Sequence, residues 1–206
     1  MTVIERDRDA IEAILRSWLD DTDLTIFCGR WHDGGVMELL PGGRVELSGP
    51  CYDEPFAGIR ELRLADAAHH VHLDLGRLTR ACYLVLPSVC YGFRPSFELR
   101  LTGAGEDPKQ GFGIGLGVRS PYAAGRLRAE PVQRFFNRLI DHLHRYPDVV
   151  TIECNAATPQ ESPALDWKTI DDVLQHWAND GRRHVAATLG RIRDALAVAR
   201  STTAVA

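Results

Sequence analysis

The sequence predicts an α+β fold in which a large antiparallel β-sheet is packed by flanking helices. Two observations support this prediction: amphipathic helical stripes occur near both ends of the chain, and short strand-like segments with tight turns lie between them. Consecutive strands joined by such turns pair antiparallel, whereas a parallel sheet would alternate strands with helices. With 206 residues, 45% of them hydrophobic and 25% charged, the chain suits one packed domain. We therefore expect residues 1–206 to form a single α+β domain.

Three helices are expected, one at the start of the chain and two after most of the strands. The first lies within residues 1–22, where apolar side chains recur at helical spacing: Ile11, Ile14, Leu15, Trp18 and Leu19. The second covers 131–146, opens with a proline, and has an apolar stripe made of Val132, Phe135, Phe136, Leu139, Ile140 and Leu143. Residues 156–206 are expected to form a linker and a long C-terminal helix, from about Trp167 to Arg200.

The sheet core is expected within residues 24–155. The segments VMELL (36–40) and RVELSG (44–49) flank Pro41-Gly42-Gly43, which predicts a hairpin between them. The run ACYLVLPSVCYG is too apolar to alternate and is typical of a central strand covered on both faces. SFELRLTG alternates, with Phe97, Leu99 and Leu101 expected inward and Glu98 and Arg100 outward. VVTIEC adds one further strand.

The most unusual local feature is GFGIGLGV, residues 111–118, in which glycine occupies every second position. As a strand, this segment has one face without side chains, so another group can approach its backbone closely. The facing group could be aromatic side chains of the 131–146 helix, or the glycines could permit strong coiling of the sheet. Alternatively, Gly113, Gly115 and Gly117 could form a slot for a flat ligand or a second subunit. A dinucleotide-binding loop is excluded because its GxGxxG spacing and following helix are absent.

Histidines concentrate in the segment HHVHLDL. On a strand, Val71, Leu73 and Leu75 share one face, whereas His70, His72 and Asp74 share the other. The two imidazoles of His70 and His72 would then lie about 6.6 Å apart along the chain, a spacing that suits a metal ligand with a partner. The hydrolase pattern HxHxDH is not completed, because Leu75 stands where its last histidine would be. Two interpretations stay open: the polar face of a half-exposed strand, and an axial ligand to a haem-type iron.

Other candidate groups have weaker patterns. Arg94, between aromatic residues, could clamp an anion or stack on a tyrosine at the surface. His142 and His144 are expected to be solvated on the polar side of their helix. The five cysteines are expected to be reduced and mostly small core residues: Cys28, Cys51, Cys82, Cys90 and Cys154.

Charge and segment composition narrow the classes of partner. A formal net charge of −4, without long runs of one sign, argues against nucleic-acid or anionic-membrane surfaces. No secretory signal precedes the first helix, and no apolar stretch approaches the ~18 residues of a membrane span. We expect a cytoplasmic protein that binds neither nucleic acid nor membrane.

The segment from the histidine strand to the glycine strand resembles the haem-utilization carriers of the HemS/HutX/ChuX type. The residues that carry the resemblance are Tyr83, Val85 and Pro87 in an apolar strand, followed by Ser96, Leu99 and Gly105 in a hairpin. The resemblance covers roughly residues 24–146. It implies a large antiparallel sheet flanked by helices, homodimerisation, and haem held in a cleft on the sheet.

This resemblance gives the leading functional expectation, a haem- or tetrapyrrole-binding protein related to haem-iron utilization. His70 or His72 would be the axial ligand, Arg94 would lie near a propionate, and Gly113, Gly115 and Gly117 would face the planar macrocycle. Two alternatives are a non-catalytic homodimer without a cofactor, and a haem-degrading or other small-molecule enzyme.

Overall fold

The computed structural model describes residues 3–30, 35–53, 56–65, 69–91, 94–108, 113–124 and 126–154, together with Gln175. The two helices are α1 (Val3–Leu19) and α2 (Ala129–Arg145). The strands are β1 (Leu24–Arg30), β2 (Gly35–Leu39), β3 (Glu46–Ser48), β4 (Ile59–Arg63), β5 (His70–Asp74), β6 (Arg80–Ser88), β7 (Arg94–Thr102), β8 (Ile114–Val118), β9 (Tyr122–Ala123), β10 (Arg126–Leu127) and β11 (Val150–Cys154). This is a mixed α+β architecture with a large, mostly antiparallel sheet, as the sequence predicts. The expected C-terminal helix lies outside the described residues.

The largest sheet has six strands in the order β11-β6-β7-β8-β1-β2. Strand β1 lies between two antiparallel partners, with Ile26 opposite Leu39 of β2 and Leu116 of β8. Strand β6 lies between β11 and β7, and its residues 81–85 are all buried. The apolar run was predicted to be a central strand, and the structure confirms it.

A separate three-stranded sheet contains β3, β4 and β5 in that order. The predicted hairpin between 36–40 and 44–49 is therefore wrong, because β2 pairs with β1 and β3 pairs with β4. The β1–β2 ladder joins five residue pairs, whereas β3 contributes only three residues to its own ladder. Pro41 and Val45 of this connection are buried, whereas Gly42 and Arg44 are exposed, so the chain turns here without pairing β2 with β3.

Helix α1 buries the stripe that predicted it, since all five of its apolar residues are at most 4% exposed. The helix contacts β3 and the 3-10 turn Leu75–Arg77. At its polar edge, Glu12 pairs with Arg16 one turn later and with Arg60 of β4, at N–O distances of 2.7 and 3.0 Å. Hydrophobic burial and these ion pairs together fix α1 against the three-stranded sheet.

Helix α2 buries its predicted stripe completely, with all six apolar residues at most 2% exposed. Phe135 makes edge-to-face contacts with Tyr83 of β6 and Phe97 of β7, at ring-centroid distances of 5.3 and 5.5 Å. Such aromatic pairs stabilise a core beyond the burial of their area. The helix begins two residues before Pro131, which still lies in the first turn, where its missing amide is tolerated.

The polar side of β7 differs from the expectation. Glu98 and Arg100 were expected to face outward, but they are only 8% and 7% exposed. Each has a partner that compensates for burial: the Ser96 hydroxyl donates to Glu98 Oε1 over 2.6 Å, and Arg100 Nη1 donates to the Pro108 carbonyl over 2.8 Å. Because β7 is an interior strand, the polar residues of its alternating pattern are buried with partners and do not form a solvated face.

The fold comprises two compact units. One contains residues Met1–Cys82 and Leu99–Arg119, and the other contains Tyr83–Glu98 and Ser120–Ala206. Strands β6 and β7 each contribute residues to both units. Within the described part of the chain, no helix is both long enough and apolar enough to span a lipid bilayer.

Candidate functional site

The histidine strand is β5, in the three-stranded sheet of the first unit. His70 and His72 are both exposed, and their ring centroids lie 5.1 Å apart, so they project to one side as the spacing predicts. Leu73 is buried on the opposite face. Leu75 was expected to continue the strand, but it begins the 3-10 turn Leu75–Arg77, because the Asp74 carboxylate accepts the Gly76 amide and turns the chain.

Strand β4 places a charged pair directly opposite the two histidines. Glu61 is the register partner of His72, and Arg63 is the partner of His70. Arg63 donates from Nε to Glu61 Oε1 over 2.8 Å, and Glu61 Oε2 lies 3.7 Å from His72 Nε2. The hydrogen bond from Arg63 holds the pKa of the Glu61 carboxyl below its ordinary value. An ionised carboxylate therefore faces the imidazole of His72.

Tyr52 completes the surroundings of His72. Its ring meets the His72 ring edge to face, with centroids 5.8 Å apart, and its side chain is 47% exposed. Sequence reasoning singled out neither Tyr52 nor Glu61. The pairing of β4 with β5 brings Glu61 to His72, and the loop before β4 brings Tyr52.

A pocket of about 370 Å³ opens beside this cluster in the same unit. Its lining comprises His72, Leu73, Asp74, Arg77, Leu78, Gly103, Glu106 and Gly113. His72 thus lines the pocket, whereas His70 does not. The guanidinium of Arg77 pairs through Nε with Asp74 Oδ2 at 3.2 Å and is 87% exposed. The lining combines an imidazole, two leucines, two glycines, the carboxyl groups of Asp74 and Glu106, and the exposed guanidinium of Arg77.

Of the stripe glycines that the structure describes, Gly113 alone lines this pocket. Gly113 is exposed and lines the pocket, whereas Gly115 and Gly117 are buried within β8. A Cβ added at Gly113 would lie 2.8 Å from Leu78 Cδ2, so this glycine permits Leu78 to approach the strand closely. Gly115 has Phe27 of β1 as its register partner, a pairing in which an aromatic side chain can cover a bare backbone. Among Gly113, Gly115 and Gly117, the glycine open to a ligand is therefore Gly113.

Arg94 was the predicted anion-binding residue of the six-stranded sheet. It begins β7, and its side chain lies outside the part of the structure that is described. The pocket cation in the first unit is Arg77.

The second unit contains a buried polar pair, Tyr83 and His142, of which His142 was expected at the surface. His142 was expected to be solvated, but it is 3% exposed, and its Nδ1 lies 2.6 Å from the hydroxyl of Tyr83. Burial lowers the pKa of His142 to about 4; Asp141 opposes this shift, and Arg138 and Arg145 add to it. The expectation failed because the apolar stripe of α2 is wide enough to include position 142. His144, in contrast, is exposed as expected.

The described cysteines are free thiols in differing surroundings. Cys82 is buried and Cys90 is exposed, whereas Cys28 and Cys51 are half-buried. Burial raises the pKa of the Cys28 thiol, which keeps it protonated and unreactive. Cys154 ends β11, and its side chain lies outside the described part.

Comparison with known proteins gives no family assignment. No protein-family profile matches the sequence, and no curated protein matches it either. Across the residues that the structure describes, no three histidine, cysteine or acidic side chains converge as metal ligands would. The candidate site is accordingly a single exposed imidazole at the edge of a pocket.

Proposed function

We propose that this protein binds haem or a related tetrapyrrole, with His72 as the iron ligand. The observation behind the proposal is that one pocket joins His72 of the histidine strand to Gly113 of the glycine strand. These were the two features from which the sequence suggested a planar, metal-containing ligand. The resemblance of residues 24–146 to haem-utilization carriers supports the same reading.

The imidazole and the two leucines of the lining suit such a ligand chemically, whereas the carboxyl groups of Asp74 and Glu106 in the same lining do not. The imidazole of His72 is 40% exposed, so one ring nitrogen is accessible, and imidazole is a common haem ligand. Leu73 and Leu78 offer apolar contact to a macrocycle edge, and the volume of about 370 Å³ falls in the range of roughly 300–1,000 Å³ typical of ligand pockets. When bound, haem would supply an iron that accepts one histidine nitrogen.

The geometry also separates the two candidate histidines and the two candidate arginines. His70 lies 5.1 Å from His72 but outside the pocket lining, so His72 is the proposed ligand. Arg77, which lines the pocket and pairs with Asp74, would take the role that the sequence suggested for Arg94, namely a cation near the carboxylate arms of the macrocycle. The macrocycle would contact Gly113, and Gly115 and Gly117 would have no direct part.

A haemin titration of the purified protein tests this proposal. We expect a Soret band at one haem per chain, which His72→Ala abolishes and His70→Ala retains. His144→Ala is the matched control, because His144 is an exposed imidazole far from the β5 sequence. If haemin does not bind stoichiometrically, or if His72→Ala binds as well as the parent protein, the proposal is wrong.

Carrier and degrading enzyme are distinguished by the fate of the bound haem. With a reductant and oxygen, the Soret band persists in a carrier and disappears in a haem-degrading enzyme. A cytoplasmic location and homodimerisation belong to the same proposal. If the purified protein carries no cofactor, binds no haemin and is dimeric, the non-catalytic homodimer is the better description.

A further inference from the structure

His70 and His72 together form a feature of β5 that the pocket does not account for. Both imidazoles are exposed on the same side of the strand, and Leu73 is buried on the other side. In the part of the chain that the structure describes, no hydrogen bond engages a ring nitrogen of either histidine. The nitrogens of both rings are therefore accessible to a ligand from solvent.

The separation of the two rings suits a single metal ion. A metal–nitrogen bond is about 2.0–2.1 Å long, so two imidazoles bound to one ion at about 90–110° have ring centroids about 4.5–5.2 Å apart. The centroids of His70 and His72 lie 5.1 Å apart. Both rings can therefore bind one ion while β5 keeps its place in the sheet.

The neighbours of His72 favour a cation at this position. Glu61 Oε2 lies 3.7 Å from His72 Nε2, which is too long for a hydrogen bond, so the carboxylate adds negative charge without occupying the nitrogen. Arg63 donates to the other oxygen, Oε1, and holds the carboxylate in place. Tyr52 meets the His72 ring edge to face and restricts its rotation, which lowers the entropy lost when a ligand binds.

We propose that His70 and His72 chelate a divalent transition-metal ion on the exposed face of β5, beside the negative charge of Glu61. Imidazole nitrogen suits ions such as Ni²⁺, Cu²⁺ and Zn²⁺. Water completes the coordination, since no third metal-binding side chain of the described residues converges there. This site goes beyond the haem proposal, because it needs His70, which does not line the pocket.

Calorimetric titration of the purified protein with Ni²⁺ tests the site, at a pH of about 8, where free imidazole is predominantly neutral. We expect His70→Ala and His72→Ala each to lower the Ni²⁺ affinity about 10- to 100-fold, because a two-point attachment becomes a one-point attachment. His144→Ala removes an exposed imidazole of α2, and His69→Ala removes an exposed one just before β5; both should keep the parent affinity. Parent affinity in His70→Ala or His72→Ala would overturn the proposal, as would an equal loss in His69→Ala.

A second pair of variants tests the part played by Glu61. Glu61→Gln removes the charge and should lower the Ni²⁺ affinity about two- to fivefold, the range typical of an exposed charge pair. Glu46→Gln is the matched control, because Glu46 is exposed on the neighbouring strand β3 and is paired in register with Arg63. Equal affinities in the two variants would show that Glu61 does not belong to the site.

The exposed thiol of Cys90 requires one further control, because thiolates also bind such ions. In a Cys90→Ser background, the affinity ratios between the parent and the histidine variants should be unchanged. If Cys90→Ser alone abolishes Ni²⁺ binding, the ion binds at the thiol and the proposal is wrong.

This proposal and the haem proposal fail separately. His70→Ala should keep the Soret band of the haemin complex and lose Ni²⁺ affinity. If haemin binds but the Ni²⁺ affinity does not depend on His70, the metal-ion site is wrong and the haem proposal stands. If no haemin binds and the Ni²⁺ affinity depends on both His70 and His72, the haem proposal fails and the metal-ion site stands.

Discussion

The hydrogen bond between Tyr83 and His142 joins two buried side chains of the second unit. Tyr83 is 0% exposed and His142 is 3% exposed, and the bond is short at 2.6 Å. We expect Tyr83→Phe to lower the free energy of unfolding by about 1–3 kcal/mol, because a buried polar atom loses its partner. Urea unfolding measures the change. Tyr52→Phe serves as the control: Tyr52 is 47% exposed, so its substitution should change stability by less than about 0.5 kcal/mol. Equal effects of the two substitutions would contradict this role for the bond.

His142 also makes stability depend on pH. In the folded protein its pKa is about 4, below the 6.5 of a free histidine, so the unfolded chain binds the proton more readily between these values. The stabilisation is fully present above about pH 6.5 and is lost as the pH falls toward 4. Since one pKa unit corresponds to about 1.4 kcal/mol, the free energy of unfolding should fall by roughly 2–3 kcal/mol between about pH 7 and pH 4.5 from this residue alone.

The contribution of His142 is separated from that of the carboxylates by comparing variants. His142→Gln cannot titrate, so its stability should fall less steeply over this pH range than that of the parent protein. His144→Gln removes an exposed histidine of the same helix and should keep the parent slope. Urea denaturation at a series of pH values gives both slopes. A parent-like slope in His142→Gln would show that this histidine is not the titrating group.

At the level of elements, Gly113 determines how closely strand β8 and the segment after β5 can approach. A Cβ there would lie 2.8 Å from Leu78 Cδ2, so the side chain of Leu78, which is 7% exposed, would have to shift. We expect Gly113→Ala to destabilise the protein by about 1–3 kcal/mol through overpacking and to weaken haemin binding at the pocket. Gly42→Ala is the control, because a Cβ at Gly42 meets no atom within 4 Å. Thermal unfolding and haemin titration of both variants measure the difference. If Gly113→Ala matches Gly42→Ala in both, the close contact has no energetic importance.

The helices and the individual strands could be predicted because their signals are local. All eleven stripe residues of α1 and α2 are buried, and the central strand β6 was recognised from its apolar run. Strand pairing was predicted less well. Pro41-Gly42-Gly43 has the chemistry of a turn, yet β2 and β3 belong to different sheets. Turn residues show that a chain changes direction, whereas the partner of a strand is decided by which ladder buries more of the core.

The candidate site also contains some features that the sequence predicts and others that it does not. The common direction of His70 and His72 follows from the two-residue period of a strand, so the sequence predicts it. Glu61 and Tyr52 reach His72 through the pairing of β4 with β5 and through a loop, and no spacing in the sequence reports either. The sequence did not predict the burial of His142, because a single histidine beside an apolar stripe is as typical of a solvated position as of a buried one. Contacts between residues on different strands could be identified only from the structure.

For the whole molecule, the net charge and the protonation of the buried His142 change over neighbouring pH ranges. The formal charge is −4 at pH 7 with eight histidines counted as neutral, and the isoelectric point is about 6.1. Protonation of histidines therefore brings the net charge to zero slightly below neutrality. His142 takes no part in this step in the folded state, because its pKa lies near 4.

We expect reversible self-association to be strongest near pH 6 and unfolding to follow at lower pH. Proteins near zero net charge lose the mutual repulsion that keeps them apart. Light scattering should therefore rise between about pH 8 and pH 6 while the circular dichroism stays native, and the native signal should weaken only as the pH approaches 4.5. His142→Gln should shift the second transition and leave the first unchanged, because the residue contributes to stability but not to the charge of the folded protein near pH 6. Scattering that rises only together with the loss of native signal would show that acid unfolding alone drives association.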